Sequence, residues 1–547
     1  MIKSFLNSQT KTVTFAALLL GLSAFVSRFL GLIRDRLLAG RFGAGEELDV
    51  YFAAFRIPDF VYGILILGGV TVIFLPVFTE FFKKDEEEGW RFTNNVLNCF
   101  LIMLIVFCGI MAIFAPWLAR FVTPGFSPEQ KDLVVSLTRI MFLSPIFLGL
   151  SAVFSGVLHY FSRFLAYSLA PVFYNLGIIL GILFFVPLFG LWGLAYGVVL
   201  GAFLHLVLQI PAARHAGFHY LPVFDFRSSG LLKVFKLMVP RTIGTAAYQI
   251  NLIVITAIAS TLSVGSIAVF TFANNLQHFP LGIIGASFAL AAFPALSRAW
   301  VNGVKGEFLD NFSLVFRQIL FLIVPISVLM FLLRAQITRL ILGTGQFGWA
   351  DTQLTAASLG LFCLGIFAVS LAPFLARVFY SFQNTRTPLF IGLSMVGLNI
   401  GLAFLFTWLL SFENGFRSLL VDFLDLEGIG NIGVIGLPLA FSLSGIYQFS
   451  SFLFFLRKKF GHIRLMEVFD SLRKIIIASL FMAAVTYLVL RATATLVCLN
   501  TFGGLFLQAG SAFLFGIFIY FLAVHLLKSS EIKTIKHSIF HQFTKSQ

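Results

Sequence analysis

The sequence predicts an all-α integral membrane protein of about fourteen transmembrane helices, in two pseudo-repeated six-helix lobes with two further helices at the C-terminus. Three observations carry this reading. Hydrophobic residues make up 59% of the chain and charged residues 11%, whereas a soluble protein has about 25% charged residues. Apolar stretches of about 20 residues, the length that a roughly 30 Å hydrocarbon core demands of a helix, recur along the whole chain. With those stretches laid alternately in and out, roughly two-thirds of the lysines and arginines fall in loops on the side that holds both termini. The positive-inside rule makes that side the cytoplasm. The net charge of +15 is therefore mostly topological and implies no nucleic-acid partner. Basic loops such as RKKFGHIR (457–464) suit the anionic headgroups of membrane lipids.

In chain order, the apolar segments of the first half run 13–38, 51–80, 93–118, 133–158, 165–187 and 191–211. Those of the second half run 234–260, 266–296, 314–333, 353–382, 387–411 and 432–456, followed by 473–493 and 502–527. Lys3 and Lys11 before the first segment resemble the start of a signal peptide, but the run continues through SRFLGLIRDR without a cleavage site, so it reads as a span. PVFYNLGIILGILFF (171–185) matches SMVGLNIGLAFLF (394–406) around Asn175 and Asn399, and GLWGLAYGVVLGAF (190–203) matches GVIGLPLAFSLSGI (433–446). The fifth and sixth segments thus pair with the eleventh and twelfth, as in transporters built from parallel repeats. This divides the chain into an N-terminal lobe (1–211), a cytoplasmic link (212–233), a C-terminal lobe (234–456), and two final helices with a cytoplasmic tail (457–547).

Most of the remaining punctuation has a structural reading. KKDEEEGWR (83–91) is a solvated cytoplasmic loop lacking the partner carboxylates of a Mg²⁺ site. Gly31, Gly68, Gly69, Gly177, Gly181, Gly197 and Gly201 suit close helix packing. Cys99, Cys108, Cys363 and Cys498 form no CxxC pair and read as packing residues, so neither a disulfide framework nor a metal site is expected.

The exception is charge inside the first two spans. At about 100° per residue, Ser27, Arg28, Gly31, Arg34 and Asp35 share one arc of the first helix, and Arg36 lies outside it. The second span, ELDVYFAAFRIPDF, adds Asp49, Arg56 and Asp59 beside a helix-disturbing Pro58. A charge near the bilayer centre costs roughly 2.5–3.5 kcal/mol on insertion scales, so such groups face a bundle interior or a wet cavity. They either pair across helices or bind a ligand. Bases outnumber acids in the spans (Arg28, Arg34, Arg36, Arg56, Arg139, Arg241, Arg377), which favours an anionic ligand, and guanidinium forks fit phosphate oxygens.

SRFLGLIRDRLLAGRFGAGEELDVYFAAFRIPDF (27–60) resembles the opening of the MurJ (MviN) family of lipid II flippases in the MOP exporter superfamily. GVLHYFSRFLAYSLAPVFYNLGIILG (156–181), GASFALAAFPALSR (285–298) and LARVFYSFQNTRTP (375–388) extend the likeness over nearly the whole chain. The resemblance implies a non-enzymatic protein of the bacterial inner membrane. It would move undecaprenyl-pyrophosphate-linked disaccharide-pentapeptide from the inner to the outer leaflet by rocking two lobes about a cationic cavity. It further implies substrate-binding roles for Arg28, Arg34, Asp35, Asp49 and Arg56. No cofactor is implied; coupling to membrane potential or a monovalent cation, and contact with cell-wall synthesis machinery, are open expectations.

Two departures from the family pattern stand out. Tyr62 and Leu67 replace an arginine and a glutamate of well-studied members, and ANNLQHFP (273–280) puts Asn274, Asn275 and His278 where those members carry an acidic-arginine-acidic cluster. Arg241 is either a compensating cavity base or an interfacial anchor. His278 is either a titrating cavity group or a hydrogen-bonding core residue. Competing functions are another polyprenyl-linked glycan as cargo, a drug-like cation as cargo, a membrane transferase, or a non-transporting scaffold. A base-rich cavity disfavours a cation, and the only extracytoplasmic acid cluster, Asp422, Asp425 and Glu427, reads as a solvated loop rather than a metal-binding active site.

Overall fold

The computed structural model describes residues 13–461 and 464–532, and every regular element among them is helical. The chain opens with α1 (Val13–Phe42) and α2 (Glu46–Val61), which continues through a π-helical stretch (Tyr62–Val70) into α3 (Thr71–Lys84). Then come α4 (Glu86–Ile113), α5 (Ala115–Val122), α6 (Pro128–Met141) and α7 (Leu143–Tyr160). Next are α8 (Phe164–Leu180), a π-helical turn (Gly181–Phe185) with α9 (Val186–Phe189), α10 (Trp192–Val207), α11 (Ile210–His215) and α12 (Ser229–Ser260). They are followed by α13 (Ser266–Pro280), a third π-helical turn (Leu281–Gly285), α14 (Ala286–Val301), α15 (Lys305–Leu332) and α16 (Arg334–Leu342). The last are α17 (Trp349–Cys363), α18 (Ile366–Ser381), α19 (Arg386–Leu409), α20 (Gly415–Leu424), α21 (Gly436–Phe460), α22 (Leu465–Ala494) and α23 (Phe502–Leu526). Among the described residues, ten helices are long and apolar enough to cross a membrane, or eleven if the bent pair α17–α18 is one span. The molecule is a multi-pass membrane protein.

Packing divides the chain into two compact units. The first runs through Ala268 and takes in Thr344–Phe347; the second holds Val269–Gly343 and the described chain from Gly348. That boundary lies beyond the 212–233 link read from the sequence, because α12 packs on α2, α3 and the π-helical stretch between them. The link itself is held down. Three buried asparagines of α4 bond its backbone: Asn94 Nδ2 donates to the His219 carbonyl (2.9 Å), Asn95 Nδ2 to that of Asp225 (2.8 Å), and Asn98 Nδ2 to those of Leu221 and Val223 (3.1 and 3.0 Å). Asn94 and Asn95 also accept from the Leu221 and Asp225 N–H groups.

Within the first unit, α8 and α10 meet through glycines. A Cβ on Gly197 would stand 2.7 Å from Gly181 Cα, and one on Gly177 would overlap Gly201. In a bilayer, with lipid as apolar as leucine, such backbone approach is a main source of helix association. Gly197→Ala is expected to lower stability by about 1–3 kcal/mol through overpacking. Gly109→Ala, where nothing lies within 4 Å, leaves the unfolding midpoint in detergent unchanged.

Prolines remove rungs from the hydrogen-bond ladders of the spans, and hydroxyls complete them. Proline has no N–H, so the carbonyl four residues earlier loses its helical partner. Pro58 releases the Ala54 carbonyl, which accepts from Thr138 Oγ on α6 (3.1 Å). Pro325 releases the Phe321 carbonyl, which accepts from the Tyr520 hydroxyl on α23 (2.7 Å). The segment expected as one span over 353–382 is two helices bent by 47°. Gly365 at the break packs where a Cβ would stand 2.6 Å from Ser442 Cα of α21, and Ser442 Oγ donates to the Leu361 carbonyl (2.7 Å).

Candidate functional site

α1 presents Ser23, Ser27 and Arg34 on one face to α8. Ser23 Oγ donates to Ser168 Oγ (3.0 Å), and Asn175 Nδ2 donates to the Ser27 carbonyl and hydroxyl (both 3.2 Å). That fixes the Asn175 amide, whose oxygen accepts from Arg34 Nη1 (3.2 Å). Arg34 Nε and Nη2 grip one oxygen of the neighbouring Asp35 at 3.0 and 2.8 Å. Asp35 is buried, with its side chain 4% exposed, while Arg34 remains 23% exposed. The pair is thus anchored on one side and open on the other.

The open side is a cavity of about 240 Å³ inside the first unit. Its polar wall is Arg34 from α1, Asp59 from α2, Tyr62 from the π-helical stretch, Ser144 from α7, Tyr174 from α8 and His205 from α10; Phe55, Pro58, Pro145, Leu148, Pro171 and Val198 supply the apolar wall. A guanidinium with spare donors suits phosphate oxygens. Asp59 and the two phenols suit groups that both donate and accept, such as sugar hydroxyls and amides. Ser151 Oγ lies 2.7 Å from His205 Nδ1, yet Ser151 is fully buried and outside the cavity lining, so the two do not make a nucleophile and base.

The other sequence-derived candidates fall elsewhere. Arg28 is half-buried on α1 and is not among the lining residues. Arg56 Nε donates to Thr256 Oγ on α12 (2.8 Å). Asp49, expected to bind substrate, caps α13: its oxygens accept from the Gly265 N–H (2.7 Å) and the Ala268 N–H (2.8 Å). Gly265 (φ +87°) packs so close to the Ala44 carbonyl that a Cβ would overlap it, which brings its N–H to Asp49. Leu67 and Arg241 lie outside the described side chains. In the second unit, Asn274 Oδ1 accepts from Gln277 Nε2 (2.9 Å), Asn275 is half-buried and His278 is exposed.

Part of the base excess in the spans meets main-chain carbonyls, at a helix end for Arg139 and one turn back within its own helix for Arg377. Arg139 Nε donates to the Ala112 carbonyl (3.0 Å) and Arg377 Nη1 to that of Pro373 (3.3 Å). Buried Arg163 donates to the carbonyls of Ala212 and His215 at the end of α11. Sequence reading missed Tyr174 and His205 and gave Asp59 no role. The available signal for His205 was a histidine and a glutamine four residues apart in the apolar run GAFLHLVLQI. Among the described residues, no group of three or more His, Cys, Asp or Glu is placed to hold a metal ion.

A family model described as "Lipid II flippase MurJ" matches residues 38–506. The "Probable lipid II flippase MurJ" of Buchnera aphidicola subsp. Schizaphis graminum is 32% identical over 376 residues, covering 68% of this chain and 73% of that one. That of Borreliella burgdorferi is 28% identical over 466 residues, covering 84% and 87%. Among solved structures, "Lipid II flippase MurJ, inward closed conformation" superposes with a TM-score of 0.74 at 24% identity, covering 93% of this chain and 98% of that one. An inward-facing multidrug resistance MATE transporter of the MOP superfamily follows at TM-score 0.62 and 15% identity, covering 78% and 93%.

Proposed function

We propose a transport mechanism from one premise: the chain belongs to the lipid II flippase MurJ family. It is a multi-pass protein of the bacterial inner membrane and a transporter, not an enzyme; its cargo is lipid II, a lipid-linked peptidoglycan precursor. The observation that carries the mechanism is the guanidinium of Arg34, oriented by Asp35 and Asn175 and open to a cavity.

In this mechanism Arg34 holds the pyrophosphate of the cargo in the inner leaflet, with Arg28, Arg56 and Arg241 adding positive potential along its path. Asp35 holds the arginine fork when no cargo is present and yields it when phosphate arrives. A cargo shifts the protein between states only by binding them unequally, and the exchange of Asp35 for phosphate on Arg34 supplies that inequality. Fourteen spans in two lobes, with both termini cytoplasmic, carry the headgroup to the outer leaflet by alternating access. Asn274, Asn275 and His278 supply a neutral polar surface on the second lobe. Membrane potential, worth about 2.3 kcal/mol per charge per 100 mV, or a monovalent cation drives the return, and the cell-wall synthesis machinery takes up the delivered cargo.

Complementation tests the function. A bacterium depleted of its resident lipid II flippase and expressing this chain is expected to resume exposing lipid II at the outer leaflet. Correct insertion without rescue would overturn lipid II as the cargo and point to another polyprenyl-linked glycan.

A further inference from the structure

A polar cluster lies between α7 and the end of α10. Ser151 and Ser155, one turn apart on α7, face His205 and Gln209, one turn apart across the end of α10. Its hydrogen bonds fix the glutamine and leave one choice at the histidine. The His205 main-chain oxygen can only accept, so the Gln209 amide group 3.3 Å from it is the NH₂. Gln209 Oε1 then accepts from Ser155 Oγ (2.9 Å), and Gln209 Nε2 donates to Ser151 Oγ (2.7 Å). Ser151 has one hydrogen left, with His205 Nδ1 at 2.7 Å and the His205 carbonyl at 3.3 Å. Giving that hydrogen to the shorter contact makes Nδ1 the acceptor and puts the ring's own hydrogen on Nε2, and this is the tautomer on which the inference is built. With its Nδ1 edge on buried Ser151, His205, which lines the cavity, keeps the Nε2 edge to offer a ligand.

We infer that His205 is a cargo-reading residue: a neutral imidazole whose Nε2–H donates to the glycan of the lipid-linked headgroup, in the cavity that Asp59 and Arg34 also line. A diphosphate only accepts hydrogen bonds, and Asp59 repels it. A sugar bearing hydroxyl and amide groups both donates and accepts, so it satisfies an N–H donor and a carboxylate that line one cavity. Arg34 is then the group that takes phosphate, and His205 with Asp59 the groups that take the sugar. Ser151 and Gln209 act as positioning residues that select the tautomer. In a site built to donate, a ligand without the acceptor leaves a buried polar group unpaired, and this gives the wall its selectivity.

This inference rests on the flippase reading, and binding to the purified full chain separates the two. Lipid II and undecaprenyl diphosphate, which lacks the glycan, are titrated against the wild type, His205→Phe, His205→Gln and Ser151→Ala, with unfolding midpoints measured alongside. His205→Phe is expected to weaken lipid II binding about tenfold or more while leaving undecaprenyl diphosphate unchanged, and His205→Gln, which keeps an N–H, to restore most of the difference. Ser151→Ala, which frees the tautomer, falls between them. Unchanged lipid II binding by His205→Phe, or equal loss of both ligands, overturns the glycan role. A wild type that binds neither ligand overturns the flippase reading instead. Should His205→Phe fail to fold, ¹⁵N NMR of the labelled wild-type histidine decides: hydrogen on Nε2 is expected, and hydrogen on Nδ1 overturns the inference.

Discussion

Arg34→Ala abolishes lipid II transport in the expected result, and the cause is loss of the site rather than of the fold. The difficulty is that Asp35 is buried against Arg34, and removing one partner of a buried pair typically costs about 3–5 kcal/mol because the other charge is stranded. The informative variant is therefore the double change Arg34→Ala with Asp35→Asn, which removes both charges together. It is expected to keep an unfolding midpoint near that of the wild type and still fail to expose lipid II at the outer leaflet. Arg34→Lys keeps the charge but not the planar fork that spans Asp35 and Asn175, and should transport at less than about a tenth of the wild-type rate. A folded double variant with full transport would remove Arg34 from the mechanism.

The second large effect is one of stability. Asp49→Ala strands two buried N–H groups at the start of α13, and the loss is on the order of 3 kcal/mol, since each hydrogen bond to a charged group contributes about 1.5–3 kcal/mol. Asp49→Asn retains one acceptor oxygen and should lie between alanine and the wild type. The two roles available to this residue predict different data. A cap lowers the unfolding midpoint in detergent and reduces transport only in proportion to the folded fraction. A cargo or ion ligand would leave the midpoint intact and stop transport.

The class of fold was legible because hydropathy and the lysine and arginine bias record the bilayer directly in residue order. The charged arc of α1 was legible for a related reason: helical periodicity alone puts Ser27 and Arg34 on one face, and the structure finds both on Asn175 of α8. What escaped was anything decided by a partner distant in sequence. Asp49 looks like any acid in a span until the start of α13, 216 residues on, arrives beside it. Arg139 looks like an anion ligand until the end of α4 presents a carbonyl. His205 has no visible partner in the sequence until the fold brings Ser151, 54 residues earlier, to its ring. The break in the 353–382 segment depends on Ser442, a small residue on another helix with no unusual feature of its own.

The hydroxyls that serve proline-freed carbonyls also bear on how the chain is made. The Ala54 carbonyl finds Thr138 after 84 residues, early in synthesis. The Phe321 carbonyl waits 199 residues for Tyr520, on the last described helix. In hydrocarbon, an unpaired carbonyl costs several kcal/mol and no water is at hand to relieve it. Until α23 is in place, α15 therefore displays a polar defect at membrane depth. A chain stopped short of α23 carries that defect permanently, giving membrane quality control a physical mark by which to tell an unfinished molecule from a finished one.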